Sequence, residues 1–163
     1  MEIPTRPGQG IDKPAAALQV RRAVPGDLGA LIDLENTSFA SDRLSARQWR
    51  HHLRGTRASI LVVESSAQLC AAAVVFLRKG STRARLYSLA VAAALRGRGI
   101  GEALLDACEN DARERGCTHL RLEVRSDNVA AQRLYQRRGY RRFASRPGFY
   151  EDGATALCYE KIL

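Results

Sequence analysis

The sequence predicts a mixed α/β domain. Helical and strand patterns alternate along the chain, a glycine-rich turn joins the clearest strand to the clearest helix, and 163 residues fit one domain with a sizeable core. A composition of 45% hydrophobic and 26% charged residues is that of a globular protein and excludes a disordered one. The longest apolar run, Leu69 to Leu77, is strand-sized and far short of the roughly 20 residues that span a bilayer, so no membrane partner is expected. The N-terminal stretch has no apolar segment of the secretory kind, which makes the expected location cytoplasmic.

Residues 1–17, with Pro4, Pro7 and Pro14, read as a flexible arm, and 18–163 as the domain. Leu18–Val24 is a strand, Pro25-Gly26 a turn, and Asp27 the N-cap of a helix with Leu28, Leu31, Ile32 and Glu35 on one face. Ser45-Ala46-Arg47-Gln48 is a capping box opening a second helix to about Arg54. Ser59–Glu64 and Gln68–Leu77 are strands joined by a polar turn at Ser65-Ser66. After a turn at Lys79-Gly80-Ser81, Arg85–Val91 is the fourth strand. Gly99–Arg115 is a helix with Ile100, Ala103, Leu104, Ala107, Cys108 and Ala112 as its apolar stripe, stopped by Gly116. Thr118–Arg125 alternates, with Leu120, Leu122 and Val124 on one face and His119, Arg121, Glu123 and Arg125 on the other. Asn128 caps a helix to Arg138, which Gly139 ends, and Tyr140–Ala144 and Thr155–Ile162 are the last strands.

The formal charge is +9, and of 26 basic residues only Lys13, Lys79 and Lys161 are not arginine. That excess fits either a phosphate or nucleic-acid partner, or the arginine and alanine bias of a G+C-rich genome. Cys70, Cys108, Cys117 and Cys158 show neither zinc nor redox spacing, and His51, His52 and His119 add none, so no metal is expected; Cys70 and Cys108 belong to apolar patterns.

The chemistry sits where the fourth strand meets the long helix. Arg96-Gly97-Arg98-Gly99-Ile100-Gly101 follows the strand ending Leu89-Ala90-Val91. Glycines let a backbone approach a ligand, and free N–H groups at a helix start attract phosphate. The P-loop pattern is absent, and the dinucleotide pattern fails because Glu102 stands where its third glycine belongs.

The remaining pattern, R-x-x-G-x-G, resembles the pyrophosphate loop of the GNAT family of acetyl-CoA-dependent N-acetyltransferases. Leu122-Glu123-Val124-Arg125-Ser126-Asp127-Asn128, continuing through Ala130-Ala131 to Leu134-Tyr135 and Gly139-Tyr140, resembles the RimI-type ribosomal-protein alanine N-acetyltransferases, as does Phe149-Tyr150-Glu151-Asp152-Gly153 near the C-terminus. The resemblance covers about residues 18–163 and implies a central, mostly antiparallel sheet with helices on both faces. Two departures stand out. Val91-Ala92-Ala93 replaces the frequent V-D-P, and the loop Phe39-Ala40-Ser41-Asp42-Arg43-Leu44 lacks the F-P-W of the type enzymes, at the acceptor groove.

The resemblance implies acetyl-CoA as co-substrate and transfer of its acetyl group to an amine. Among the amines, an N-terminal α-amine of pKa about 7.7–8.0 is roughly a seventh neutral at pH 7, and a lysine only about once in 2,500. A general base therefore helps, and Glu123 matches the family's base; the alternatives are an ion-paired Glu between Arg121 and Arg125, or His119 as base. Tyr135 matches the family's proton donor to the leaving thiolate, or simply packs. The co-substrate contacts so implied are the backbone of Leu89, Ala90 and Val91, the loop Arg96, Gly97, Arg98, Gly99, Ile100, Gly101 and Glu102, and Asn128, which equally serves as a bare helix cap.

The cluster Arg133, Arg137, Arg138, Arg141, Arg142 and Arg146 is either a solvated face or a contact to the 3′-phosphate or to RNA. Glu35, Asp42, Glu151 and Asp152 flank the acceptor loops and suit a basic N-terminal peptide. The expected acceptor is a protein or peptide N-terminus of the ribosomal-protein type, with no direct nucleic-acid binding. A small-molecule or nonribosomal peptide amine is the enzymatic alternative, and a basic CoA-binding, ribosome-associated module the non-enzymatic one.

Overall fold

A computed structural model describes residues 18–163, so the expected arm lies outside the described residues. Seven strands form one sheet: β1 (Gln19–Arg22), β2 (Ala58–Ser65), β3 (Gln68–Phe76), β4 (Arg83–Val91), β5 (His119–Arg125), β6 (Arg141–Arg146) and β7 (Ala156–Ile162), in the order β1-β2-β3-β4-β5-β7-β6. Helices α1 (Leu28–Ser38) and α2 (Ala46–Arg54) cover one face. Helices α3 (Ile100–Glu114) and α4 (Val129–Arg137) cover the other. The expected element order and the two-sided sheet are both present.

Only β4 and β5 are parallel; every other pair is antiparallel. The connection between them must cross over the sheet, and α3 is that crossover. Its apolar stripe, with Ile100, Leu104, Leu105, Cys108 and Ala112 all buried, packs on Leu61, Val63, Ala73, Val75, Ala84 and Leu86. Beneath α1 and α2, Leu31, Leu34 and Trp49 pack on Ile60, Val62, Ala72 and Val74.

The α2 capping box is complete: Ser45 Oγ accepts from the Gln48 N–H at 3.2 Å, and Gln48 Oε1 accepts from the Ser45 N–H at 2.8 Å. Asp27 stands at the N-cap of α1 as expected, but its side chain accepts no N–H from that helix. The turn Pro25–Asp27 is already 3-10 helical, so the Asp27 carboxylate reaches back to the Val24 N–H at 2.8 Å and accepts from Arg21 at 2.8 and 2.9 Å. The β2–β3 turn falls at Ser66 and Ala67, with φ of 50° and 61°, one residue later than expected. β4 starts two residues early because Arg83 and Ala84 pair with His119 and Leu120 of β5. All four cysteines are buried and free, and burial raises the Cys108 thiol to about 12.

Candidate active site

The site begins with a failure of strand pairing. The β4–β5 ladder runs for four pairs, from Arg83↔His119 to Leu86↔Leu122, and stops. Opposite β3, Val74 faces Ser88 and Val75 faces Leu86, so Tyr87 is the extra residue of a β-bulge. A bulge bends its strand and increases local twist. Beyond it β4 follows β3 while β5 stays paired with β7 from His119 to Arg125, and the two strands part. The β4 edge from Tyr87 to Val91 that faces β5 has no strand partner among the described residues.

A cavity of about 560 Å³ fills the split. One wall is β4 from Arg85 to Leu89, the other β5 from Leu122 to Arg125. Asn128, Ala131 and Tyr135 of the α4 segment close one end, while the α1–α2 loop and Phe149, Tyr150 and Asp152 of the β6–β7 loop close the other. Four of the sequence-derived candidates thus meet here: Leu89, Glu123, Asn128 and Tyr135.

The glycine loop lies at the end of β4. Gly97 and Gly99 adopt φ of 76° and 78°, the left-handed region that side chains with a Cβ avoid. The first bond of α3 runs from the Ala103 N–H to the Gly99 carbonyl at 3.0 Å, and the N–H groups of Gly97 through Glu102 have no protein acceptor among the described residues. Such a run of N–H groups at a helix start is an anion-binding surface. Gly101 has another role. A Cβ there would lie 3.7 Å from Leu134 and 3.8 Å from Leu89 and Val91, so the helix start is seated against β4 and α4. Three side chains of the loop are engaged within the protein: Arg96 Nε donates to the Val91 carbonyl at 3.2 Å, Ile100 is in the core, and Glu102 pairs with Arg137 at 3.1 Å, while Arg98 is exposed. Ala90 is likewise buried, beneath α1 and α2.

Glu123 pairs with Arg85 across the split at 3.0 Å, and not with its strand neighbours. Arg121 is taken by Glu160, its register partner on β7, and Arg125 is bidentate to Asp152 at 3.2 and 2.5 Å. His119 sits at the opposite end of β5, its Nδ1 2.8 Å from Thr118 Oγ1, away from the cavity. Tyr135 is 8% exposed with its ring edge-on to Tyr140, and burial holds its hydroxyl well above the usual phenol range. Asn128 caps α4, its Oδ1 accepting from the Ala131 N–H at 3.1 Å.

Arg85, Tyr87 and Tyr150 are functional candidates that sequence reasoning missed. The alternation of β4 puts Arg85 and Tyr87 on one face, but nothing local says which strand they will meet. Burial, reinforced by the Glu123 charge, raises the Tyr150 hydroxyl to about 12, and burial also raises that of Tyr87. Both phenols stay protonated and can donate at neutral pH.

The acidic residues expected to attract a basic peptide are mostly engaged. Glu35 accepts from the Leu44 N–H at 2.8 Å inside the protein, Asp42 from Ser41 Oγ at 2.9 Å, and Asp152 holds Arg125. From the arginine cluster, Arg137 and Arg138 bind Glu102 and Asp106, clamping α4 to α3.

The split parallel pair thus leaves an open strand edge beside a helix start whose N–H groups are free, an arrangement suited to an anion. The sequence pattern of the acetyltransferase (GNAT) family matches residues 28–140, and the chain belongs to that family of N-acetyltransferases. It is 27% identical over 132 residues to a Bacillus subtilis protein named as a candidate [ribosomal protein bS18]-alanine N-acetyltransferase, covering 80% of this chain and 86% of that one. It is 47% identical over 73 residues to an uncharacterized N-acetyltransferase of Methanocaldococcus jannaschii, a match spanning 44% of this chain and 47% of that protein. The fold is similar to the crystal structure of the ribosomal-protein-S18-alanine N-acetyltransferase from Escherichia coli, with a TM-score of 0.80 and 25% identity over 90% of this chain and 94% of that one. No helix among the described residues is long and apolar enough to cross a membrane.

Proposed function

We propose that this chain transfers an acetyl group from acetyl-CoA to the N-terminal α-amine of a protein or peptide, of the ribosomal-protein alanine type, and that residues 18–163 carry the whole activity. The observation that carries the reading is the junction of three features: the unpartnered β4 edge, the run of free N–H groups from Gly97 to Glu102, and one cavity lined by both Glu123 and Tyr135.

The residues present fit the co-substrate. The N–H groups of Gly97–Glu102 suit its pyrophosphate. The open edge of Leu89, Ala90 and Val91 suits an extended amide-bearing arm, as a strand edge suits an added strand. When bound, acetyl-CoA supplies the acetyl group as a thioester. Glu123 then takes the proton of the incoming amine, directly or through one water, with Arg85 fixing the carboxylate's orientation. Tyr135 donates its proton to the departing sulfur, a role suited to a hydroxyl that burial keeps protonated. The protein-acceptor reading draws on the names of the Bacillus and Escherichia coli relatives.

The test is an acceptor screen with the purified chain and acetyl-CoA. N-terminal peptides, lysine side chains and free small amines are compared by released thiol and product mass. The expected product is a peptide heavier by one acetyl group on its α-amine. Transfer confined to small amines would overturn the protein acceptor, and no thiol release with any amine would overturn the enzymatic reading.

A further inference from the structure

Below the reaction cavity lies a second groove, of about 640 Å³. It shares Arg85, Leu122, Glu123 and Phe149 with the first cavity, so the two adjoin. Its charge is one-sided: five arginines line it, Arg78, Arg83, Arg85, Arg121 and Arg146, against the single carboxylate of Glu123. Arg85 and Arg121 are neutralised by Glu123 and Glu160. Arg78, Arg83 and Arg146 are exposed and have no carboxylate partner among the described residues. Phe143 and Phe149 are 49% and 36% exposed in the same groove, beneath the guanidinium groups of Arg121 and Arg146 at 4.7 and 6.0 Å. Unpaired arginine beside accessible aromatic rings is the composition of a recognition surface, and the arginine fork matches carboxylates in pairs.

We propose that this groove binds an acidic segment of the acceptor chain, a few residues beyond the amine that Glu123 serves. The inference rests on the α-amine reading above and narrows it. Charge complementarity selects the occupant. The groove begins at the catalytic carboxylate, which leaves the amine in the first cavity and the following residues over the arginines. Of the acidic residues that would have favoured a basic acceptor, Glu35 is bonded inside the protein and Asp152 is neutralised by Arg125.

Peptides sharing one N-terminal residue, but with acidic, neutral or basic residues at the next positions, separate the possibilities. The acidic peptide should show a kcat/KM roughly 10-fold or more above the neutral one at low salt, through KM, and the gap should close toward 0.5 M salt, where the Debye length is only a few ångströms. Arg78→Gln with Arg146→Gln, both exposed and so expected to unfold with the wild-type midpoint, should remove that gap. Equal rates for all three peptides, or a preference for the basic one, would overturn the groove while leaving amine acetylation intact. A labelled acidic peptide whose N-terminus is already blocked reports the groove without chemistry, by fluorescence anisotropy. Should no peptide be acetylated, the α-amine reading falls, and arginine-dependent binding of the blocked peptide, or its absence, still decides the groove. Displacement of that peptide by a single-stranded RNA at a lower concentration than by unlabelled acidic peptide would overturn a protein occupant.

Discussion

Glu123 and Tyr135 sit on different elements and meet only because β4 and β5 part. Replacing Tyr135 by Phe removes one hydroxyl and keeps the packing against Tyr140. Turnover should fall by roughly 10²-fold, with acetyl-CoA affinity little changed, since the ring remains. Single-turnover rates at the wild-type level would make Tyr135 a packing residue. Glu123→Gln should lower kcat/KM most at pH 6, where the acceptor amine is protonated. Activity should recover in part as pH passes the amine pKa of about 8, because solvent then supplies the neutral nucleophile. A loss of equal size from pH 6 to 9 would assign Glu123 to positioning. The Glu123–Arg85 pair is partly exposed, so the substitution should change stability by less than about 1 kcal/mol.

Among the elements, the glycine loop shows how one motif joins unlike requirements. Gly99 needs a positive φ, so Gly99→Ala forces a side chain into the left-handed region at a cost of about 1–2 kcal/mol. Gly101 is helical and its Cβ meets only ordinary contacts, so Gly101→Ala should be neutral or gain up to about 1 kcal/mol from helix propensity. Opposite shifts in thermal midpoint would bear this out, and equal shifts would not. The entry to α1 carries a pH-dependent tie. Both Asp27 oxygens accept from Arg21, which holds the carboxyl below its unfolded value. A depressed acid pKa stabilises the fold fully above the unfolded pKa of about 3.9, and the contribution disappears as pH falls through the folded value. Asp27→Asn should therefore lower the midpoint at pH 7, and the difference should shrink steadily below pH 4. A constant difference down to pH 2 would mean that the loss comes from elsewhere.

Across the whole molecule, the two halves of the sheet join through four parallel pairs, so side chains share in holding the C-terminal half to α3. Glu109, on α3 and 3% exposed, accepts from Lys161 of β7 at 2.9 and 3.0 Å and from the Tyr140 hydroxyl at 3.0 Å. Lys161→Met would leave that carboxylate buried with one distant cation, Arg113 at 3.7 Å. The expected loss is about 3–5 kcal/mol, read by chemical denaturation, because a buried charge without its partner costs far more than the pair contributes. An unchanged midpoint would show that Arg113 or water replaces the lysine.

The sequence by itself determined what depends on neighbours along the chain. Periodicity placed all eleven regular elements in order, the capping box opened α2 where expected, and the glycine spacing located the positive-φ turn. Those signals are local because a helix face, a cap and a turn are each built within a few residues. Boundaries slipped where pairing partners decide them, as at Arg83 of β4 and at the Ser66-Ala67 turn. Asp27 holds the N-cap position of α1, but its carboxylate turns to Arg21 on the neighbouring strand, which offers it a cation. The tertiary structure alone decided which polar side chains share a cavity. Glu123 chose Arg85 over its adjacent arginines, His119 was carried to the far end of β5, Glu35 was buried, and Asp152 was taken by Arg125. Strand register and the bulge at Tyr87 set those encounters, and both arise from contacts between residues remote in sequence.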